Sequence, residues 1–419
     1  MIAARSLRDI SLILLFISTG AIPLYGQDKV PVTIYTFPGG HQEDGMWTAL
    51  HAARDGRVYV GLCTHGGSGQ FYAYEPQSDK IRHIAMTQEA VNQMTSGREA
   101  HGKLHSQFME TANGDVWFGT DMSYHSYFAR WDGPEAYPGG HLLIYDPKTD
   151  LLKSLGAPFP GQAVRVIQMD EKRRMVYVVA FPTGKFYKYH MDSGRVEFKG
   201  RVDNWDSIAR VMVMDDDGNV YGSFAPYRIF KYDVAADKLL DLPTIIPHLE
   251  GPWCDRGHGH RENMWRNAIW HPEEKVIYGL EMGSSTLFRF DPATNAITDL
   301  GQFTVEEFQG ERIVPYTLHS FLLYDNNKIY YAAPSGKRDM PCQLLSYDIA
   351  TGVKSNLGIL EAADGSVPTN LQGASIAPDG TIYFAGWVRL TGSSPEAERS
   401  RKEGRGIMGV VALKASDIK

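Results

Sequence analysis

Hydrophobic and polar positions along the chain follow one pattern that recurs seven times. In each copy an apolar run leads into a polar turn and then into a short strand rich in Val, Ile and aromatic residues. The copies are residues 47–62, 105–120, 165–180, 210–224, 266–282, 319–333 and 372–387. A strand–turn–strand unit that repeats every ~40–60 residues, with no helical pattern between the copies, is typical of a β-propeller blade. The pattern therefore predicts an all-β fold, a seven-bladed β-propeller.

Polar turns give the predicted propeller two distinct faces. Five copies carry a hairpin signal between their two strands. These signals are Asp55-Gly56, Asn113-Gly114, Asp217-Gly218, Asn326-Asn327 and Asp379-Gly380. We expect the turns to share one face, and the first residue of every copy to lie on the opposite face.

Three further segments fall outside the repeat. The apolar stretch at 32–37 has no partner in its own blade, so we expect it to pair with 409–413 and close the ring. Residues 392–406 are rich in Ser, Glu, Arg and Lys and predict a mobile loop. Insertions at 124–140 and 243–263 break the regular spacing, and long loops on a rigid scaffold are where function usually lies.

The amino-terminal residues have a different composition. Arg5 and Arg8 precede a short apolar run at 10–17, and small and polar residues follow as far as Gly26-Gln27. This order is typical of a secretory signal peptide. We predict a signal peptide at residues 1–26, a single propeller domain at residues 27–419 and a secreted or periplasmic location.

Net charge limits the partners that the protein can bind, and the cysteine count limits disulfide pairing. The 419 residues carry a formal net charge of −7, which argues against a general polyanion-binding surface. We expect a monomer that binds neither nucleic acid nor membrane, and an acidic ligand would need a local basic cluster. Cys63, Cys254 and Cys342 cannot all pair within one chain, so at least one is buried, reactive or a metal ligand.

The first positions of the seven copies form the main candidate site. They are Trp47, His105, Arg165, Arg210, Arg266, His319 and Gln372. An inner strand usually begins with a small or apolar residue, and buried positive charge needs a partner. Three Arg and two His at these positions therefore indicate an anion site at the channel mouth, with ion pairs to loop carboxylates as the alternative. His125 leaves the hairpin that His105 enters, so the two imidazoles should lie close together.

A second candidate site lies in the insertion before the fifth copy. One Cys and three His fall within thirteen residues there: His248, Cys254, His258 and His260. This donor set suits tetrahedral zinc, and a closed site of four protein ligands would be structural. A site missing one ligand would leave room for a zinc-bound water. A polar loop with coincidental His is the alternative.

Part of the chain resembles a known family. Residues 102–106 (GKLHS), 113–120 (NGDVWFGT), His125 and 139–147 (GGHLLIYDP) are similar to the seven-bladed ulvan lyases, which are secreted polysaccharide lyases acting on uronate-containing sulfated glycans. The similarity is best over about residues 100–290. It implies that His105 and His125 form the histidine pair of the cleft and that a structural zinc is present. It also implies a catalytic Arg, best matched by Arg210 with Arg165 second, and a catalytic Tyr.

The tyrosine is matched less directly than the other residues. Tyr227, after the hairpin of the fourth copy, is the first choice, and Tyr124 and Tyr187 are the alternatives. Where the third copy could carry a Tyr, this chain has Phe181.

The chemistry of β-elimination needs these residue types. An Arg or protonated His must neutralise the uronate carboxylate so that negative charge can spread into it. A His or Tyr must take the adjacent proton, and a group of similar reach must protonate the leaving oxygen. We therefore predict a polysaccharide lyase acting on a uronate-containing, ulvan-like glycan. The alternatives are a non-catalytic glycan-binding propeller and a metal-dependent propeller hydrolase.

These predictions assign a role to each candidate residue. The catalytic residues are His105, His125, Tyr227 and Arg210, and the substrate-binding residues are Arg165, Arg266, His319, Trp47 and Gln372. The zinc ligands are His248, Cys254, His258 and His260.

Overall fold

Seven sets of four strands form the blades of a β-propeller in the computed structural model of this chain, five as separate sheets and two joined in one eight-stranded sheet. The structure describes residues 28–38, 45–93, 100–123, 137–202, 210–224, 226–249, 264–310, 317–335, 340–402 and 406–418. The first five blades are β2–β5, β6–β9, β10–β13, β14–β17 and β18–β21 in chain order. The sixth blade is β22–β25, and the seventh combines β26–β28 with β1. The prediction of an all-β, seven-bladed β-propeller is confirmed.

The strands have the following bounds: β1 (Lys29–Thr36), β2 (Leu50–Ala52), β3 (Val58–Leu62), β4 (Gln70–Glu75), β5 (Lys80–Met86), β6 (Met109–Glu110), β7 (Val116–Gly119), β8 (Leu142–Asp146), β9 (Leu151–Ser154), β10 (Ala163–Asp170), β11 (Met175–Phe181), β12 (Lys185–His190), β13 (Val196–Arg201), β14 (Val213–Met214), β15 (Val220–Phe224), β16 (Arg228–Asp233), β17 (Lys238–Ile245), β18 (Trp265–His271), β19 (Val276–Glu281), β20 (Thr286–Asp291), β21 (Ala296–Gln302), β22 (Phe321–Tyr324), β23 (Lys328–Ala333), β24 (Gln343–Asp348), β25 (Lys354–Ala362), β26 (Val367–Ile376), β27 (Ile382–Arg389) and β28 (Ile407–Leu413). Two α-helices, α1 (Thr87–Ala90) and α2 (Pro395–Lys402), and 3₁₀ turns at Glu306–Phe308 and Ala415–Asp417 complete the elements of the described residues.

Burial follows the position of each strand within its blade. Every residue of β3 and of β19, the second strands of blades one and five, is buried because neighbouring blades cover both of their faces. Outer strands such as β21 alternate between exposed and half-buried residues. The apolar core therefore lies mainly between blades, as where Phe71 of blade one packs on Phe118 and Tyr145 of blade two.

The amino-terminal strand closes the ring, as the sequence predicts. Thr33 to Thr36 of β1 pair antiparallel with β28, from Ala412 to Gly409. The preceding residues of β1, Lys29 to Val32, pair in parallel with β25 of blade six. One strand therefore completes blade seven and also joins it to blade six in a continuous eight-stranded sheet.

Contacts between blades confirm that the polar turns share one face. The Ala112 amide donates to Glu171 Oε2 at 2.8 Å, which links blades two and three. Arg173 Nη2 donates to the Asp217 carbonyl at 2.7 Å, which links blades three and four. The first residues of the seven copies lie at the opposite ends of the inner strands.

Two expectations about the loops are wrong. The segment 392–406 contains helix α2, which begins where Ser394 Oγ accepts the Ala397 amide at 3.1 Å. Pro395 at the first helical position, acidic residues in the first turn and basic residues in the last all favour this helix. The insertion placed at 243–263 begins later, because β17 continues through Ile245.

Candidate functional site

The first positions of the copies leave the regular strand pattern in two ways. Trp47, His105, Arg210 and His319 precede their inner strands. The strand register shifts across each of the other three, which are Arg165 in β10, Arg266 in β18 and Gln372 in β26. Each of these three is the extra residue of a β-bulge, and a bulge turns a side chain out of the normal strand alternation.

A buried carboxylate, Asp121, joins two of the predicted residues and was not predicted from the sequence. It follows β7 in blade two and is fully buried. Asp121 Oδ2 accepts a hydrogen bond from His105 Nδ1 at 2.5 Å, and Oδ1 accepts one from Arg165 Nη2 at 3.2 Å. Arg165 Nε also contacts Oδ2. One carboxylate therefore holds a histidine of blade two and an arginine of blade three.

Lys103 and Trp47 lie beside this group. Lys103 forms a two-way backbone bridge with Asp121, at 3.2 and 2.8 Å, and its side chain is buried. Its Nζ lies 5.6 Å from the centroid of the Trp47 ring. The same ring meets His105 edge to face, with 4.5 Å between centroids. Thr48 Oγ1 donates to the His105 carbonyl and so fixes the backbone of the histidine from blade one.

Arg266 and Gln372 form a second linked pair. Arg266 is fully buried, and its Nη2 donates to Gln372 Oε1 at 2.8 Å. Gln372 Nε2 in turn donates to Asn370 Oδ1 at 2.6 Å. Since Arg266 belongs to blade five and Gln372 to blade seven, this bond holds together inner strands of two blades that are not neighbours.

We refer to these side chains as the axial cluster: Trp47, Lys103, His105, Asp121, Arg165, Arg210, Arg266, His319 and Gln372.

The lowered pKa values of two histidines indicate a positive potential in the axial cluster. Burial, followed by the charges of Arg266 and Arg210, holds the pKa of His319 well below its usual value. Burial and the charges of Arg165 and Lys103 also hold the pKa of His105 well below its usual value, although Asp121 acts in the opposite direction. Both imidazoles are therefore neutral at neutral pH, and the cations around them disfavour a further positive charge.

A cavity of about 460 Å³ lies on the propeller axis, and its lining includes His319. Amide side chains within it bond to neighbouring inner strands. Gln168 Nε2 donates to the Met212 carbonyl at 3.4 Å, and Asn267 Nδ2 donates to the His319 carbonyl at 2.8 Å. These amides therefore hold the inner strands in place around the channel. His319 Nδ1 is buried and has no hydrogen-bond partner among the described residues.

Two buried histidines that contact each other, His101 and His141, lie in blade two outside the axial cluster. His101 Nε2 bonds to Gln93 Oε1 at 2.9 Å, and the His101 and His141 rings meet edge to face at 5.2 Å. Tyr137 Oη bonds to His101 Nδ1 at 3.2 Å. Burial, with the charge of His141, lowers the pKa of His101 to about 4. The Gly-Gly-His run at 139–141 was the sequence signal for this group, although it did not reveal the pairing with His101.

The structure places Tyr227 in the core between blades four and five. The residue is 5% exposed and packs with Ile229, Ile246 and Trp265. Its ring is stacked on His248 with 3.4 Å between centroids. Its catalytic role therefore stays a prediction. If Tyr227 acts in catalysis, it does so with its ring stacked on His248.

The alternative tyrosine, Tyr187, lies on β12. Its ring packs against Phe159 at 4.7 Å and Phe198 at 5.6 Å. Burial raises its pKa, which works against use of the phenol as a base.

Of the four predicted zinc ligands, His248 is the one that lies among the described residues. Its Nδ1 donates to the Ile246 carbonyl at 2.9 Å, because a carbonyl oxygen can only accept. The neutral ring then carries its lone pair on Nε2, which is the usual arrangement of a metal-binding histidine. Cys254, His258 and His260 lie outside the described residues, as do His125 and Tyr124. The other two cysteines, Cys63 and Cys342, are buried free thiols.

Comparison with known proteins shows the fold alone. No family model matches the chain, and no curated protein matches it. Among solved structures, the extracellular domain of BT4673 from B. thetaiotaomicron, assigned to the hybrid two component systems, aligns with a TM-score of 0.57 and 13% identity over 88% of this chain. The chain spans 40% of the length of that structure. A chain of the mitotic checkpoint complex aligns with a TM-score of 0.55 and 12% identity over 92% of this chain and 95% of its own.

Proposed function

We propose that the protein is a polysaccharide lyase that cleaves a uronate-containing glycan by β-elimination. The observation that carries this proposal is a neutral His105 set among buried cations at the end of the propeller axis. A neutral imidazole can accept a proton, and the Asp121 carboxylate on its other nitrogen would offset the cost of the imidazolium that forms. The positive potential would stabilise the negative charge that develops on a uronate carboxylate.

Six residues of the axial cluster have a direct role in this proposal. His105 takes the proton beside the carboxylate, and Arg210 with Arg266 neutralises the carboxylate itself. Trp47, half-buried next to His105, offers a flat apolar surface on which a sugar ring can stack. His125 and Tyr227 remain the candidates for protonating the leaving oxygen, and His319 and Gln372 for binding the sugar hydroxyls.

The proposal includes a structural zinc held by His248, Cys254, His258 and His260. The tautomer of His248 fits this role, and the other three donors are a thiolate and two imidazoles, which zinc prefers. Such a site would link the segment after β17 to the core through the stacking of His248 on Tyr227. No step of the cleavage is assigned to the metal.

Export is also part of the proposal, because polymeric glycans are met outside the cell. The predicted signal peptide at 1–26 supports it, although it lies outside the described residues. The likeness to an extracellular domain concerns the fold and is consistent with this location. The described residues contain no helix long and apolar enough to cross a membrane.

A direct assay tests the function. The mature protein is incubated with a panel of uronate polysaccharides, and the ultraviolet absorbance of the unsaturated product is followed. We expect absorbance to rise with at least one polymer, and His105→Ala to reduce the rate about 10²–10⁴-fold without unfolding the protein. Activity of His105→Ala within a few-fold of wild type would refute its role as base.

A glycan-binding propeller without catalysis is the second candidate, and the burial of both Tyr227 and His105 Nε2 favours it. The same panel separates the two candidates. Binding of an acidic polymer, measured by calorimetry, with no unsaturated product would support the binding protein and refute the lyase.

A further inference from the structure

The hydrogen bonds of Asp121 determine which nitrogen of His105 carries a proton. Asp121 is fully buried, and an ionised carboxylate can only accept hydrogen bonds. His105 Nδ1 lies 2.5 Å from Oδ2, so Nδ1 must carry the proton that it donates. In a neutral ring, the lone pair then lies on Nε2.

Further contacts keep the Asp121 carboxylate ionised and in place. Arg165 contacts both carboxylate oxygens, and the Met122 amide donates to Oδ1 at 2.7 Å. A guanidinium and a backbone amide both favour the charged form of an acid. Arg165 is itself packed over the Phe181 ring at 4.1 Å, so its position is also restricted.

The backbone places this carboxylate directly beside the segment that carries His105. Asp121 and Lys103 exchange two backbone hydrogen bonds, and Lys103 is two residues before His105. The ring of His105 is also packed against Trp47. The backbone bridge therefore keeps the two segments adjacent, and rotation of the His105 ring would break its packing against Trp47.

We propose that Asp121 is a positioning residue, which holds His105 as the Nδ1–H tautomer and so makes Nε2, a buried atom in this structure, the proton acceptor of the reaction. This inference rests on the proposed function for its catalytic consequence. Its structural part, the tautomer, does not depend on any activity. Arg165 then acts mainly by keeping Asp121 charged, which differs from the substrate-binding role predicted for it.

Asp121→Asn is the decisive substitution. An Asn can present its oxygen to Arg165 and its NH₂ group to His105, which would make His105 Nδ1 an acceptor and move the proton to Nε2. Loss of the correct tautomer in a comparable His–Asp pair reduces kcat about 10⁴-fold. We expect Asp121→Asn to lower kcat about 10²–10⁴-fold with KM changed only a few-fold, because the charges around the substrate site other than Asp121 remain.

The tautomer is measured separately from activity. Nitrogen-15 NMR of histidine-labelled protein distinguishes the two tautomers, and the His105 signals are identified by their absence in His105→Gln. We expect Nδ1–H in wild type, Nε2–H in Asp121→Asn and Nδ1–H in Asp121→Glu, which keeps a carboxylate acceptor. Asp121→Glu should also recover part of the activity lost in Asp121→Asn.

Asp170→Asn is the matched control for Asp121→Asn. Asp170→Asn alters another buried aspartate that is paired with an arginine, Arg173, but it lies at the polar-turn face and should leave both kcat and the His105 tautomer unchanged. Wild-type protein with the Nε2–H tautomer, or the same tautomer in wild type and Asp121→Asn, would overturn the inference. If Asp121→Asn fails to fold, the tautomers of wild type and Asp121→Glu still decide. The expected tautomers without any lyase activity would refute the proposed function and leave the positioning role standing.

Discussion

Arg165 and Arg266 occupy the same kind of backbone position but have different partners. Both are bulge residues at the start of an inner strand and both are buried. Arg165 contacts a carboxylate, whereas Arg266 donates to the neutral amide of Gln372. Among the charges near His319, that of Arg266 lowers the histidine's pKa most, followed by that of Arg210.

Arg210 is the residue on which we test carboxylate recognition. Its charge helps to lower the pKa of His319, which places it close to the axis. Arg210→Lys keeps the charge but cannot form two parallel hydrogen bonds to a carboxylate. We expect kcat/KM on a uronate polymer to fall about 10-fold or more, mostly through kcat. Steady-state kinetics measure this, with Arg54→Lys at the polar-turn face as the control.

The division between kcat and KM decides the role of Arg210. A rise in KM with unchanged kcat would show that Arg210 only binds the substrate, which contradicts its assignment to transition-state stabilisation.

At the scale of single elements, β1 has the most unusual position. Val30 is 4% exposed and belongs to the core of blades five to seven, while its neighbour Lys29 is an exposed residue that pairs with Glu361. Val30→Asp would bury an unpaired carboxylate where β1 meets β25. We expect a loss of several kcal/mol in unfolding free energy, measured by denaturant titration. Lys29→Ala, on the opposite face of the same strand, should have little effect.

Equal stability of Val30→Asp and Lys29→Ala would show that ring closure does not depend on the burial of β1.

The segment after β17 gives a prediction about metal. If Cys254 binds zinc as a thiolate, purified protein should contain about one zinc per chain, and Cys254→Ser should lose it and melt at a lower temperature. Elemental analysis and thermal unfolding measure the two effects. Cys342→Ser, at a buried free thiol, is the control and should keep the metal. Metal-free wild-type protein of full stability would remove the zinc site from the proposal.

Repeats and turn signals were enough to predict the blades, the turn face and the closing strand, because each depends on local alternation and on the need to cover strand edges. The bulges at Arg165, Arg266 and Gln372 could not be located in this way, since a bulge adds one residue without changing composition. Asp121 was missed for a related reason. It lies 16 residues after His105 in the chain, and the two are brought together by the pairing of β6 with β7 and by the Lys103–Asp121 bridge.

Helix α2 was not predicted, although its signals were present in the sequence. Its cap and charge pattern were present in the sequence, but its polar composition favoured a loop. Burial of Ala397 and Ser400 against the blade stabilises it, and tertiary packing of this kind is not visible from composition.

For the whole molecule, buried histidines predict a dependence of stability on pH. Burial lowers the pKa of four of them, to about 4 for His101, and in the same direction for His105, His141 and His319. In the unfolded chain a histidine has a pKa near 6.5, so between pH 6.5 and 4 the unfolded state binds more protons than the folded state. Stability is therefore complete above about pH 6.5 and falls as pH decreases, by about 3 kcal/mol for His101 alone.

Denaturant unfolding at pH 7.5, 6.5 and 5 measures this effect. His101→Gln keeps a hydrogen-bonding side chain that does not titrate, and it should show a smaller loss of stability between pH 6.5 and 5 than wild type. Identical unfolding free energies of the wild-type protein at pH 7.5 and 5 would contradict the prediction.

The closing strand also sets the order in which the protein can be assembled. Lys29 bonds to Glu361, 332 positions further along the chain, and β1 meets β28 only once residue 413 has been made. The first of the described strands to be made is thus among the last to find its partners. Until then β1 and the edges of blades six and seven stay open to pairing with other chains, and long-range strand pairing is slow. Newly made protein should accordingly depend on chaperones, or on low concentration, far more than the closed ring does.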